Sequence, residues 1–265
     1  MIYRAVDSGD PLWPSRWVGN KAPVRIAATA DLHMRPAVAG KFRSDLLELG
    51  NKADLLLLAG DLTDGGTVAE AELLCAELAG LAVPIVAVLG NHDHDAGAVD
   101  VIAGMLTGIG VRVLDGGATV CTVRGHRIGI AGVMGGSGGF PAYPGDPDSG
   151  SEEHRTLMRR GAVDALRLRA ALEALDTPTR IALTHFSPTV DTLAGEPISI
   201  YPGLGCQALG DAIDAAGATL ALHGHAHAGT EDGRTTGNIA VHNVSYPVLR
   251  RTYALYDLAT TAASG

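Results

Sequence analysis

Five short apolar runs punctuate this chain, and each stops at an acid, an amide or an imidazole. VRIAATA (24–30) runs into Asp31-Leu32-His33. ADLLLLA (53–59) runs into Gly60-Asp61-Leu62-Thr63-Asp64. PIVAVL (84–89) runs into Gly90-Asn91-His92-Asp93. RIAL (180–183) runs into Thr184-His185, and ATLAL (218–222) into His223-Gly224-His225-Ala226-His227. Short runs without polar alternation read as strands buried on both faces. Such strands belong to helix-covered α/β sheets, which place their sites at the carboxyl ends of the strands.

The rest of the chain fits around these runs. Lys41–Gly50 and Thr67–Gly80 read as helices, the second with a Thr67 cap and Glu70 three residues on. Val111–Leu114, Thr119–Arg124 and Arg127–Val133 read as a hairpin-like meander. Met134–Gly150 is a glycine- and proline-rich loop, and its start, Gly132–Phe140, is expected to border the site as a mobile loop. Ser151–Leu175 reads as a helix capped by Ser151, with a break expected at Gly161. Gly210–Ala216 is a short helix, and Ile239–Val244 and Tyr253–Leu258 are closing strands. Asp191–Gly205 is a candidate wall of the pocket. Residues 1–23 are irregular and read as an N-terminal arm, followed by a single domain over 24–262.

Composition removes several classes. A hydrophobic content of 46% excludes wholesale disorder. Glycine is abundant, at 35 of 265 residues, but has no collagen period. The net charge of −9, with no cluster of Lys or Arg, argues against a long nucleic acid as partner. Cys75, Cys121 and Cys206 are scattered and odd in number, which argues against a disulfide framework. With no signal-like start and no apolar stretch of membrane length, a cytoplasmic protein without membrane contact is expected.

The strand ends carry the chemistry. Asp31, His33, Asp61, Asn91, His185, His225 and His227 form a set rich in oxygen and imidazole, without thiolates. That set favours Mn, Fe, Zn or a similar divalent ion over an iron–sulfur or structural zinc site. Seven donors exceed what one tetrahedral ion takes. Two ions sharing a carboxylate would use them well, and Asp61, in the middle of the series, is the natural bridge. Two ions about 3.5–4 Å apart can clamp the attacking and leaving oxygens of a phosphoryl displacement.

DxH (31–33), GDxxD (60–64), GNHD (90–93), a lone His185 and GHxH (224–227), in that order, resemble the calcineurin-like metallophosphoesterase superfamily. The resemblance implies an α/β protein, a four-layer α/β/β/α sandwich with two mixed sheets and a dinuclear metal site at the strand ends. It implies one ion on Asp31, His33, Asp61 and His227, and a second on Asp61, Asn91, His185 and His225. It makes His92 the catalytic histidine, with the Asp64 carboxylate bonded to it and keeping it protonated. The implied activity is hydrolysis of a small phosphodiester or phosphomonoester by a hydroxide bridging the ions. Two alternatives stand beside it, a non-catalytic scaffold of the same fold and a nuclease. Protein phosphatases of the superfamily read GDxxDRG and GNHE. Here Gly65-Gly66 and Asp93 stand at those places, which counts against a phosphoprotein substrate. His223 is one histidine too many and is expected to be structural. His94 and Asp95 are expected to lie near the ligands.

Overall fold

Residues 23–148 and 150–258 are described by the computed structural model; the expected arm lies outside them except for Pro23. The apolar runs become central strands because both of their faces meet apolar neighbours. The strands are β1 (Val24–Thr29), β2 (Leu55–Ala59), β3 (Ile85–Val88), β4 (Val111–Leu114), β5 (Gly117–Val123) and β6 (His126–Val133). A small hairpin follows, β7 (Gly139–Phe140) with β8 (Tyr143–Pro144). Then come β9 (Thr179–Thr184), β10 (Leu220–His223), β11 (Asp232–Arg234), β12 (Ala240–Asn243) and β13 (Ala254–Leu258).

They form two mixed sheets. The first has the order β13-β1-β2-β3-β4, parallel except for β13. The second has the order β11-β12-β10-β9-β6-β5, with its inner four strands parallel. Leu55, Leu57, Val86 and Val88 of the first sheet pack against Ile130, Ile181, Leu183 and Leu222 of the second. Helices α1 (Arg43–Leu47), α2 (Val68–Leu78) and α3 (Val99–Gly108) cover the outer face of the first sheet through residues such as Leu46, Leu74 and Leu106. Helices α4 (Glu152–Glu173) and α6 (Gln207–Ala215) cover the second, with Leu168, Leu172 and Ile213 buried. The short helices α5 (Tyr201–Leu204) and α7 (Tyr246–Leu249) lie nearer the strand ends. The result is the expected α/β/β/α sandwich.

Several local expectations need correction. The meander is only a hairpin: β5 and β6 pair with each other, whereas β4 joins β3 in the other sheet. Gly161 does not break α4. A Cβ there would lie 2.2 Å from the Ser137 carbonyl oxygen, so the glycine lets a loop cross the helix at backbone distance. That loop, 132–140, expected as a mobile rim, is packed into the fold. It is largely buried, the Met134 carbonyl accepts from the His185 amide at 3.0 Å, and Gly135 N–H donates to Asp164 at 3.1 Å. The Thr67 cap is present as expected, with Thr67 and Glu70 bonded reciprocally.

Candidate metal centre

The first sheet delivers Asp31 and His33 just past β1, Asp61 past β2 and Asn91 past β3. The second delivers His185 past β9 and His225 and His227 past β10. All seven candidate ligands thus come to one edge of the sandwich. The backbone turns sharply there. Asp31, His33, Asp61 and His225 have φ of 57°, 43°, 49° and 68°. Non-glycine residues rarely adopt this left-handed conformation, and each instance costs on the order of 1–3 kcal/mol. Two glycines clear the space. A Cβ on Gly90 would lie 2.1 Å from Asp61 Oδ1, and one on Gly224 would lie 2.4 Å from Asp31 Oδ2.

The donor atoms converge on two carboxylates. Around Asp61 Oδ2 stand His185 Nε2 at 3.3 Å, His33 Nε2 at 3.9 Å and His92 Nε2 at 4.0 Å. Around Asp31 Oδ1 stand His227 Nε2 at 2.8 Å and His33 Nε2 at 4.0 Å. Asn91 Oδ1 lies 3.1 Å from His185 Nε2. Three groups have ligand atoms within 4.8 Å of one another: Asp31, His33 and His227; His33, Asp61 and His92; Asp61, His185 and His225. Asp61 belongs to two groups and His33 to two, so the groups form one continuous cluster.

Burial makes this cluster electrostatically tense. Burial raises the Asp61 carboxyl, but His185, His225 and His92 together hold it well below the usual carboxylate range. His185 is fully buried, which lowers its pKa, yet the charge and hydrogen bond of Asp61 outweigh this and raise it to about 9. His225, buried beside that cation, is pushed down to about 3. Burial lowers His33 as well, against the pull of Asp61 and Asp31. His227 is raised, chiefly by its hydrogen bond to Asp31.

The residues fit divalent ions. Both ring nitrogens of His33 are buried and lack a hydrogen-bond partner, which is costly for an imidazole unless something binds it. His33 Nε2 points between Asp31 and Asp61. The Ala59 carbonyl, 2.9 Å from His185 Nδ1, fixes that ring so that Nε2 faces the cluster.

Two supporting roles differ from the sequence reading. The Asp64 carboxylate does not bond His92. Its backbone carbonyl accepts from His92 Nδ1 at 2.7 Å, while its carboxylate goes to Arg35 at 2.8 Å, a cation that sequence reasoning misses. Asp95, expected nearby, places its carboxylate 3.5 Å from His92 Nδ1. Asp93 is missed too, because in sequence it reads as a mere variant of the motif. It is fully buried and accepts from the amides of Leu62, Thr63 and Gly90 and from the Thr63 hydroxyl, at 2.6–3.2 Å. One carboxylate therefore ties the turn after β2 to the turn after β3. His223 is structural. It is held neutral by burial, with a pKa of about 4, donating from Nδ1 to the Gly224 carbonyl and facing the Thr192 hydroxyl with Nε2 at 2.8 Å.

Asp191–Gly205 packs behind the ligand loop more than over it. Leu193, Tyr201 and Leu204 bury Ala226, and Glu196 accepts from the Ala228 amide at 2.7 Å. The open side of the centre is a cleft of about 330 Å³ lined by Asp31, His33, Asp64, His92 and His227.

Over residues 24–229 the sequence matches the calcineurin-like phosphoesterase family. The chain belongs to that family. Its members are metal-dependent phosphoester hydrolases, in keeping with the clustered Asp and His donors. No curated protein matches this calcineurin-like phosphoesterase significantly by sequence. Solved structures resemble it in fold. Phosphopantetheinyl hydrolase from Mycobacterium tuberculosis superposes with a TM-score of 0.63 at 18% identity, covering 92% of this chain and 99% of that one. The protein TT1561 of Thermus thermophilus gives 0.60 at 18% identity, covering 89% and 99%. A putative 5′-nucleotidase from Staphylococcus aureus gives 0.54 at 14% identity, covering 84% of this chain and 48% of its own.

Proposed function

We propose that this chain hydrolyses a small phosphodiester at a dinuclear centre, with one ion on Asp31, His33, Asp61 and His227 and a second on Asp61, Asn91, His185 and His225. The observation that carries the reading is the pair of buried carboxylates faced by imidazoles, with His33 Nε2 between them and hydrogen-bonded to neither. Ions such as Mn, Fe or Zn held there would neutralise phosphate charge and lower the pKa of a water toward neutrality.

The chain's own groups supply the rest. His92 donates its Nδ1 proton to the Asp64 carbonyl, so Nε2 is the nitrogen turned toward the centre. With its side chain 40% exposed at the cleft, His92 can give an Nε2 proton to the departing oxygen. Asp93 keeps the turns carrying Asp61 and Asn91 in register.

A diester is favoured over a monoester on charge. The monoester dianion needs an extra cation near phosphorus, but Gly65 stands where protein phosphatases carry Arg, and Arg35 is already bound to Asp64. The acidic balance favours a small substrate over a long nucleic acid. A cytoplasmic setting belongs to the same reading, supported by three unpaired cysteines, two of them buried. Among the described residues no helix is long and apolar enough to cross a membrane.

The test is to strip the protein, reload it with each metal in turn, and assay bis(4-nitrophenyl) phosphate against 4-nitrophenyl phosphate. Two ions per chain and turnover of the diester at least about tenfold faster are expected. No bound metal and no turnover with any ion would favour the scaffold. Single-stranded DNA cut as fast as the small diester would favour the nuclease.

A further inference from the structure

Past the candidate ligands, the cleft continues to a wall formed by Lys41, Phe42, Tyr246 and Pro247. The Tyr246 amide donates to the Ala30 carbonyl at 2.9 Å, which fixes this wall next to the turn bearing Asp31. Lys41 Nζ sits 4.4 Å from the Tyr246 ring centroid and 5.4 Å from that of Phe42. The two rings meet edge to face at 5.2 Å. An ammonium over two aromatic rings is held in place without being neutralised. Among the described residues no carboxylate forms an ion pair with Lys41. The other cation of the cleft, Arg35, is bound to Asp64. The cleft thus has the cluster at one end and an uncompensated positive charge at the other. Its volume is at the small end of ligand pockets, suited to a molecule of nucleotide size.

We propose that Lys41 is a specificity residue, and that the substrate is a small phosphoester carrying a second phosphate away from the reacting phosphorus. Lys41 binds that second phosphate, and the Tyr246 and Pro247 surfaces pack against the part of the substrate that joins the two. This rests on the phosphoesterase reading above, and it adds a substrate class to it.

The experiment compares thymidine 5′-(4-nitrophenyl phosphate) with the same ester bearing a 3′-phosphate, on metal-loaded protein. The wild type is expected to prefer the 3′-phosphorylated ester about tenfold in kcat/KM, mainly through KM, as one charge-assisted contact gives. Lys41→Gln should bring the two esters within twofold of each other, and Lys41→Arg should keep most of the preference. An equal preference in Lys41→Gln and wild type, or none in wild type, overturns the assignment. A second arm needs no turnover: calorimetric titration of thymidine 3′,5′-diphosphate against thymidine 5′-phosphate. A tenfold difference that Lys41→Gln abolishes supports the inference even if neither ester is hydrolysed, a result that would count against the phosphoesterase reading alone. No difference in binding overturns the inference directly.

Discussion

At the amino ends of β1 and β2 lies a cleft of about 370 Å³, lined by Arg25, Lys52 and Arg124 among others. At the carboxyl ends lies the cleft of the candidate metal centre, of about 330 Å³. Size does not distinguish them, but their chemistry does. At the amino end each of these cations has a carboxylate: Arg25 with Asp257 at 2.6 Å, Arg124 with Asp54 at 2.7 Å, Lys52 with Glu48 at 2.6 Å. At the carboxyl end Asp31 and Asp61 have imidazoles as charge partners, and the backbone that presents them is left-handed. The candidate site is marked by the partners of its acids, imidazoles carried on left-handed turns, more than by a hollow.

This contrast can be broken in graded ways. Asp61→Asn removes the shared carboxylate and should lower turnover about a thousandfold, roughly 4 kcal/mol of transition-state stabilisation. Bound metal, measured by elemental analysis, should fall with it. A variant with full metal and full rate would remove Asp61 from the centre.

His92→Ala comes next, with a loss of about a hundredfold to a thousandfold in kcat while both ions stay bound. Nitrophenyl ester hydrolysis at the wild-type rate would end the assignment of His92. Gly90→Ala pushes a methyl group into Asp61 Oδ1. Displacing a ligand in this way should cost about a hundredfold in rate. Gly104→Ala in α3, where a Cβ meets nothing within 4 Å, is the control and should leave the rate unchanged.

The smallest kinetic effect belongs to the opposite end of the sheets. Asp54 is buried, accepts from the Arg25 amide at 3.0 Å and pairs with Arg124. Asp54→Asn should lower stability by about 1–3 kcal/mol in denaturant titration while kcat stays the same. A rate loss as large as that of Gly90→Ala would mean the two ends are coupled.

Much of this is legible in the residues alone. Runs such as LLLLA (55–59) and IVAVL (85–89) announce fully buried strands because no polar residue interrupts them, and their shared habit of ending in Asp, Asn or His points to one edge. Other features are hidden for physical reasons. Helix α3, VDVIAGMLTG, mixes β-branched residues and glycines that weaken a helical pattern, and packing against α2 and β4 sustains it. Nothing local distinguishes β4 as a partner of β3 from a member of the hairpin beside it. The left-handed φ of Asp31 and Asp61 is imposed by the turns between strand and site, against the preference of the residues themselves. Asp93 is open to notice as an acid directly after a ligand turn. Lys41 and Tyr246 are not, because 205 positions separate them and only the pairing of Ala30 with Ser245 brings Tyr246 across.

His227 meets Asp31 across 196 residues, and His185 meets Asn91 across 94. Residues 31–91 hold four of the seven candidate ligands, but neither proposed ligand set is complete without a histidine from beyond residue 184. A growing polypeptide has no such cluster until nearly all of it has emerged and both sheets have docked, and contacts this distant are slow to form. Catalytic competence here doubles as a report that the whole chain has finished folding.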